Sequence, residues 1–259
     1  METTYLDKKN YIELYREQAG KDRTQLGKKL VYLFLATLLA MFGVGIVVSI
    51  VFGDNAFSEL LIQLVSFFVT LYSMKYLLNL VDGKETSFQG VWESFTWKQF
   101  GYGLLAYVLM SIAILAGYLL LIVPGIILTY MFAMVVPTIA DNTTKPLEAL
   151  KESRRLTQGY KMKIFLTTLS VAIHYYALPI FAVLLGVIAG MMGIIWLAGI
   201  LFAVAVGFGI YASFALMTLV PRIYRDLELI KGAKESEPAV VVAEESVETE
   251  DQTEYTEEK

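Results

Sequence analysis

The chain has 259 residues, of which 56% are hydrophobic and 18% charged, with a formal net charge of −4. A typical soluble domain is about 25% charged. The absence of cysteine excludes structural disulfides, thiolate metal sites and cysteine nucleophiles.

The first 29 residues are polar and charged, and the first apolar segment opens only at Leu30. That is late for a signal peptide, and no small-x-small cleavage site follows. The segment is read as a retained membrane span over residues 30–52. Span two covers about 57–81, with Lys75 near its far end. The long Lys75 stem is expected to snorkel to the headgroups, in preference to an ion-pathway role.

A short amphipathic helix is expected next. Phe88, Val91, Trp92 and Phe95 recur at helical spacing, and Trp92 and Trp97 suit the headgroup layer. Phe100 to Ala140 then carry no charge at all. As one helix this run would extend about 60 Å at roughly 1.5 Å per residue, twice a bilayer core of about 30 Å. Pro124-Gly125 is the expected breaker, giving span three (about 101–122) and span four (about 126–140).

Residues Pro146 to Thr157 form a second amphipathic segment, with proline suited to its first turn and Gly159 to its stop. Leu147, Leu150 and Leu156 are expected to face the membrane. Lys151, Arg154, Arg155, Lys161 and Lys163 are candidate contacts for anionic lipid headgroups, with ordinary positive-inside anchoring the favoured reading.

Ile164 to Val220 are again uncharged. Basic residues precede and follow this run, so both its ends belong on one side and it holds two spans, about 164–186 and 194–220. The turn is expected between Gly186 and Gly193. Gly199, Ala203 and Gly207, with Ala215 beyond, form a small-residue ladder expected to pack inside the bundle. Gly186-xxx-Gly190, Gly43-x-Gly45, Gly101-x-Gly103 and Gly207-x-Gly209 are assigned the same role. The membrane domain is thus 30–225, and 226–259 is read as a disordered cytoplasmic tail. From Gly232 onward this tail holds ten acids and two lysines, accounting for −8 and leaving the rest of the chain at +4.

All 21 Lys and Arg fall on one side of this arrangement. The expectation is an all-α polytopic bundle of six transmembrane helices with two cytoplasmic interfacial helices, both termini cytoplasmic.

Chemistry is sparse. His174 is the only histidine and falls about 15 Å into span five. Proton or metal chemistry there needs partners, and Glu59 and Asp141 are placed at span ends. A neutral imidazole hydrogen-bonded to a nearby Ser, Thr or Tyr is the expected state of this candidate intramembrane polar site. Tyr175, Tyr176, Asn79 and Gln63 read as interhelical hydrogen-bonding groups. No P-loop, HExxH motif, dinucleotide fingerprint or serine triad is present, so neither an enzyme nor a cofactor is expected.

Leu121-Ile122-Val123-Pro124-Gly125-Ile126-Ile127 continues through Tyr130 and Pro137 to Ala140-Asp141-Asn142. It is followed by Glu148-Ala149-Leu150-Lys151-Glu152-Ser153, Gly159 and Phe165. This stretch resembles a family of uncharacterised bacterial integral membrane proteins, domain of unknown function 975. It is distantly similar to the membrane domain of some glycerophosphodiester phosphodiesterases. Val123 stands for the usual isoleucine, and His174-Tyr175 replaces an expected aromatic anchor. The resemblance implies a polytopic helical fold in a bacterial plasma membrane and transfers no catalytic residue.

The expected role is a non-enzymatic membrane protein that organises or regulates envelope components, with a small transporter or lipid-handling protein as the alternative. Expected partners are the bilayer, anionic headgroups and a membrane protein, with no nucleic acid. A reporter fused at Pro124 or within 186–193 is expected to read as external; a cytoplasmic signal at either site would overturn the orientation.

Overall fold

The computed structural model describes residues 6, 7, 9–13, 23–84 and 87–233, with backbone only over 23–26. The described residues form helices and connecting turns, with no strand. Six helices are long and apolar enough to cross a membrane: Gly27–Phe52, Ala56–Val81, Trp97–Leu120, Ile122–Asp141, Lys161–Met191 and Ile195–Ala233. The protein is an all-α polytopic membrane bundle. The acidic sequence beyond Ala233, expected to be disordered, lies outside the described residues.

Helices α1 (Arg23–Phe52) and α2 (Ala56–Val81) form the first hairpin. The Asn55 side chain caps α2 by accepting from the amides of Phe57 (3.0 Å) and Ser58 (3.1 Å). The expected amphipathic segment is the short helix α3 (Phe88–Glu93), capped by Ser87, whose hydroxyl accepts from the Gly90 amide at 3.0 Å. Val91 is buried while Trp92 is exposed.

The second hairpin differs from expectation. α4 (Trp97–Leu120) ends at Leu121, and α5 (Ile122–Met131) starts at once, so Pro124 and Gly125 lie inside the first turn of α5 rather than in the bend. The reason is geometric: amides in the first turn have no intrahelical acceptor, so proline costs nothing there. Glycine serves close approach. A Cβ on Gly117 would lie 2.6 Å from Leu128 Cδ1 and 3.1 Å from the Gly125 Cα.

Span four is also interrupted. α5 stops at Met131 and α6 (Val135–Asp141) resumes after a turn over 132–134. α7 (Pro146–Thr157) has proline at its N-terminus, and Gly159 follows with φ +85°, as its sequence suggests. Its burial departs from expectation. Leu147 is exposed, but Ala149, Ser153, Leu156 and Thr157 are completely buried in the protein. Their spacing places them on one helical face, and the helix packs on α4, α6 and, to a lesser extent, α5.

α8 (Lys161–Met191) and α9 (Ile195–Met217) form the third hairpin, turning at 192–194 with Gly193 at φ +77°. The expected Gly199–Ala203–Gly207 ladder faces outward: nothing lies within 4 Å of a Cβ built on Gly199 or Gly207, and Ala203 is exposed. The buried seam is instead Ala198, Ala205 and Ala212 with Ala182, Gly186 and Ala189. A seven-residue step returns to nearly the same azimuth after two turns, whereas steps of four rotate around the helix. Gly43, Gly45, Gly101 and Gly209 likewise meet nothing within 4 Å, while Gly103 packs on Phe67 and Leu71.

The chain stays helical beyond the predicted end of span six. After a turn at Thr218, helix α10 covers 219–233, so residues 226–233, expected in the tail, are structured. Leu219, Ile223, Tyr224 and Leu227 join the main core. That core also holds Leu71, Leu78, Met134, Val135, Ile139, Leu156 and Ile164, so it fills the end of the bundle where the charges lie. The opposite half is joined mainly by small-residue seams. This division suits a bilayer, in which lipid tails leave no hydrophobic force between helices and close packing must hold them.

Gly117→Ala is expected to destabilise the protein in detergent by about 1–3 kcal/mol, because the Gly125 backbone cannot yield without separating the helices. Gly199→Ala, in open space, should stay within about 0.5 kcal/mol of wild type. Thermal unfolding of the two variants side by side measures the difference.

Candidate functional site at the charged end of the bundle

Arg225 on α10 organises this end. Its Nε and Nη2 donate to the Asp82 carboxylate, each at 2.8 Å. Nη1 and Nη2 donate to Asp141, also at 2.8 Å. Nη1 also reaches Glu228 at 2.7 Å. Asp82 caps the C-terminus of α2 and Asp141 closes α6. One planar guanidinium therefore joins the ends of spans two, four and six, a fork geometry that lysine cannot supply. These three ends lie on the same side, as an even number of crossings between them requires. Burial raises the Asp82 carboxyl, but hydrogen bonds from Arg225 and Lys84 outweigh it and hold the group below its ordinary 3.8.

A second link involves Lys75. Its Nζ donates to the Ser94 carbonyl at 2.7 Å and to Gln99 Oε1 at 3.2 Å. Gln99 is almost completely buried, and its Nε2 donates to the carbonyls of Ile139 and Ala140, the latter at 2.8 Å. Carbonyls in the last turn of a helix lack intrahelical donors. Gln99 supplies them for α6, and Lys75 orients Gln99.

A third link supports the break in span four. The Met134 amide donates to Ser153 Oγ at 3.1 Å, and Ser153 Oγ donates to the Met131 carbonyl at 2.9 Å. Thr157 Oγ1 lies 3.1 Å from the same carbonyl. In an apolar environment each unmet backbone group costs several kcal/mol, so irregular backbone persists only where protein satisfies it. Ser153 and Thr157, one turn apart on α7, do so.

The fourth link comes from residues 6, 7 and 9–13. Leu6 and Tyr11 are buried in the main core. The Leu6 amide donates to Asp226 at 3.4 Å, the Tyr11 hydroxyl donates to the same oxygen, and Thr167 donates to the Leu6 carbonyl at 2.8 Å. Part of the polar N-terminal segment that precedes span one is therefore built into the bundle.

The candidate lipid contacts stand outside these links. Lys151, Arg154 and Lys163 are exposed, and Lys161 is half-buried. Arg155 is neutralised by Glu152, which accepts from Nε at 2.8 Å and Nη2 at 2.7 Å. His174 is exposed on the outside of α8, edge-on to the Tyr175 ring at 5.1 Å between centroids. No hydrogen bond to its imidazole occurs among the described residues, contrary to expectation; the helix turns this position away from its neighbours. Tyr176 does bond across helices, its hydroxyl lying 3.1 Å from Ser213 Oγ. No group of three or more His, Asp or Glu side chains able to hold a metal occurs among the described residues.

Sequence reasoning missed Gln99, Arg225, Asp226 and Tyr11. A glutamine at the mouth of an uncharged run, and the two arginines followed by two acids in Arg222–Glu228, were the available signals. Comparison with protein-family models finds no matching family, and comparisons with curated proteins and with solved structures find no match either.

A carboxyl held below its ordinary value binds protons less readily in the folded state. Asp82 therefore contributes stability that is complete above about pH 5 and is lost as pH falls through 3.8 toward the depressed value. Arg225→Gln, which leaves Asp82 with Lys84 as its only cation and removes the guanidinium from Asp141, is expected to cost about 3 kcal/mol near neutral pH and to make this acid limb shallower. Thermal unfolding across pH 3–7 tests both.

Proposed function

We propose that this chain is a non-enzymatic protein of the bacterial plasma membrane, with both termini cytoplasmic, that organises other envelope components through its cytoplasmic face. The observation that carries this reading is the division of labour among polar side chains. Arg225, Asp82, Asp141, Lys75, Gln99, Ser153 and Thr157 are committed to holding helix ends together. Lys151, Arg154 and Lys163 project from the same end, exposed. Recognition chemistry is thus available on the outer surface of this end, where anionic headgroups and acidic protein segments share the same attraction to lysine and arginine.

The resemblance to domain of unknown function 975 agrees with this reading. Several residues that carry it have architectural duties: Asp141 receives Arg225, Ser153 bridges the span-four break, and Ala149 is buried in the core.

A small transporter or lipid-handling protein is the second reading, favoured by the interruption of span four between Met131 and Val135. Discontinuous helices form the substrate sites of many transporters. Here the Met134 amide and the Met131 carbonyl at the interruption are bonded to Ser153 and Thr157, which supports an architectural role for the break.

Photo-cross-linkers placed at Lys151 and Lys163 in living cells are expected to capture defined protein neighbours. Charge reversal at Arg154 should deplete them. Recovery of lipid alone would overturn the organising role in favour of the second reading.

A further inference from the structure

A groove of about 200 Å³ runs along the bundle surface between α1, α2 and α3. Leu33, Ala36, Thr37 and Ala40 form one wall, Phe68, Val69, Tyr72 and Ser73 the second, and Phe88 and Trp92 its end. It exists because Ala36, Ala40 and Ser73 are too small to fill the angle between two helices, while Phe68 and Trp92 stand around it. Two hydroxyls on its walls are already committed. Thr37 donates to the Leu33 carbonyl at 2.8 Å and Tyr72 to the Phe88 carbonyl at 2.6 Å. A water-filled cleft needs polar partners for its waters; this lining presents aliphatic and aromatic carbon.

Position and charge identify the occupant. The groove opens on a membrane-spanning surface, beside the lipid-exposed side chains Leu39 and Phe42. It lies near the charged end, since Lys29 precedes Leu33 by four residues on the same helical face. Four residues are about 6 Å, and Leu33 to Ala40 about another 10 Å, one third of a hydrocarbon core. A lysine side chain leans toward the start of its helix, which carries the Lys29 ammonium to headgroup depth. A cation at the phosphate level above an apolar channel at the depth of the first methylenes is the complement of a phospholipid. Trp92, exposed at the groove's end, supplies the interfacial ring and an indole donor. Glu93, on the other face of α3, accepts from Gln89 at 2.9 Å.

We propose that this groove binds one acyl chain of an anionic phospholipid from the leaflet at the charged end, with Lys29 on its phosphate. The site is independent of the organising role proposed above. It makes the lipid a resident part of the α1–α2–α3 assembly, filling the space that protein side chains leave.

The test uses the full chain in phosphatidylcholine vesicles, with a phosphatidylglycerol probe carrying a diazirine on its acyl chain. Labelling of residues 33–40 and 68–73 is expected to saturate as the probe fraction rises. Labelling of the exposed surface around Phe181 and Leu184 on α8 should rise in proportion. Ala40→Phe should abolish the saturable component, and Lys29→Gln should raise the half-saturating fraction about fivefold, the worth of one lysine near a lipid phosphate. Proportional labelling in both regions, or saturation unaffected by Ala40→Phe, would overturn the proposal and leave only annular lipid. Should Ala40→Phe fail to insert, the wild-type saturation curve and Lys29→Gln decide the matter without it.

Discussion

The bundle depends on the guanidinium of Arg225. Three separate crossings end within its reach, and its donors are shared among Asp82, Asp141 and Glu228. Each carboxylate alone would be costly to hold half-buried. Together with one cation they form a network whose Coulombic gain is largest where water is scarce. The other links assume this arrangement. α6 must end beside α2 and α10 for Gln99 to reach its last carbonyls and for the 131–134 break to meet α7.

Span four shows how a membrane protein tolerates irregular backbone. Its two halves, α5 and α6, are individually too short to cross a bilayer core of about 30 Å. The interruption is bridged by two hydroxyl side chains of α7, which packs on α6 through a face of small and apolar residues. A helix patterned for an interface is here part of the core, with only its charged face left to the surroundings. Lys151 and Arg154 are exposed for the same reason that Ser153 and Leu156 are buried: they lie on opposite faces of one helix.

Packing is divided along the membrane normal. The charged end has a contiguous core that includes Leu6 and Tyr11 from the start of the chain. The other end has the Gly117–Gly125 contact and the alanine seam between α8 and α9. Toward the charged end, α1 leans on α2 and leaves the apolar groove closed at one end by α3. Small residues therefore serve two purposes. At Gly117 and Ala205 they bring helices together; at Ala36 and Ala40 they leave space.

The sequence by itself determined the fold class, the six apolar helices and the positions of their turns to within a few residues. Uncharged runs longer than a bilayer needs, divided by Pro124 and Gly193, admit few other arrangements. Side-chain partnerships were not legible, because they join residues far apart in the chain: Asp82 and Arg225, Gln99 and Ala140, Leu6 and Asp226. Hydropathy records how apolar a helix is, but an almost uniformly apolar helix carries little azimuthal signal. The buried face of α9 was therefore decided by contact with α8, and the outward placement of Gly199 and His174 followed from it. The Lys75 side chain was decided in the same way. Its length permits many acceptors, and only the approach of Ser94 and Gln99 settles which ones it takes.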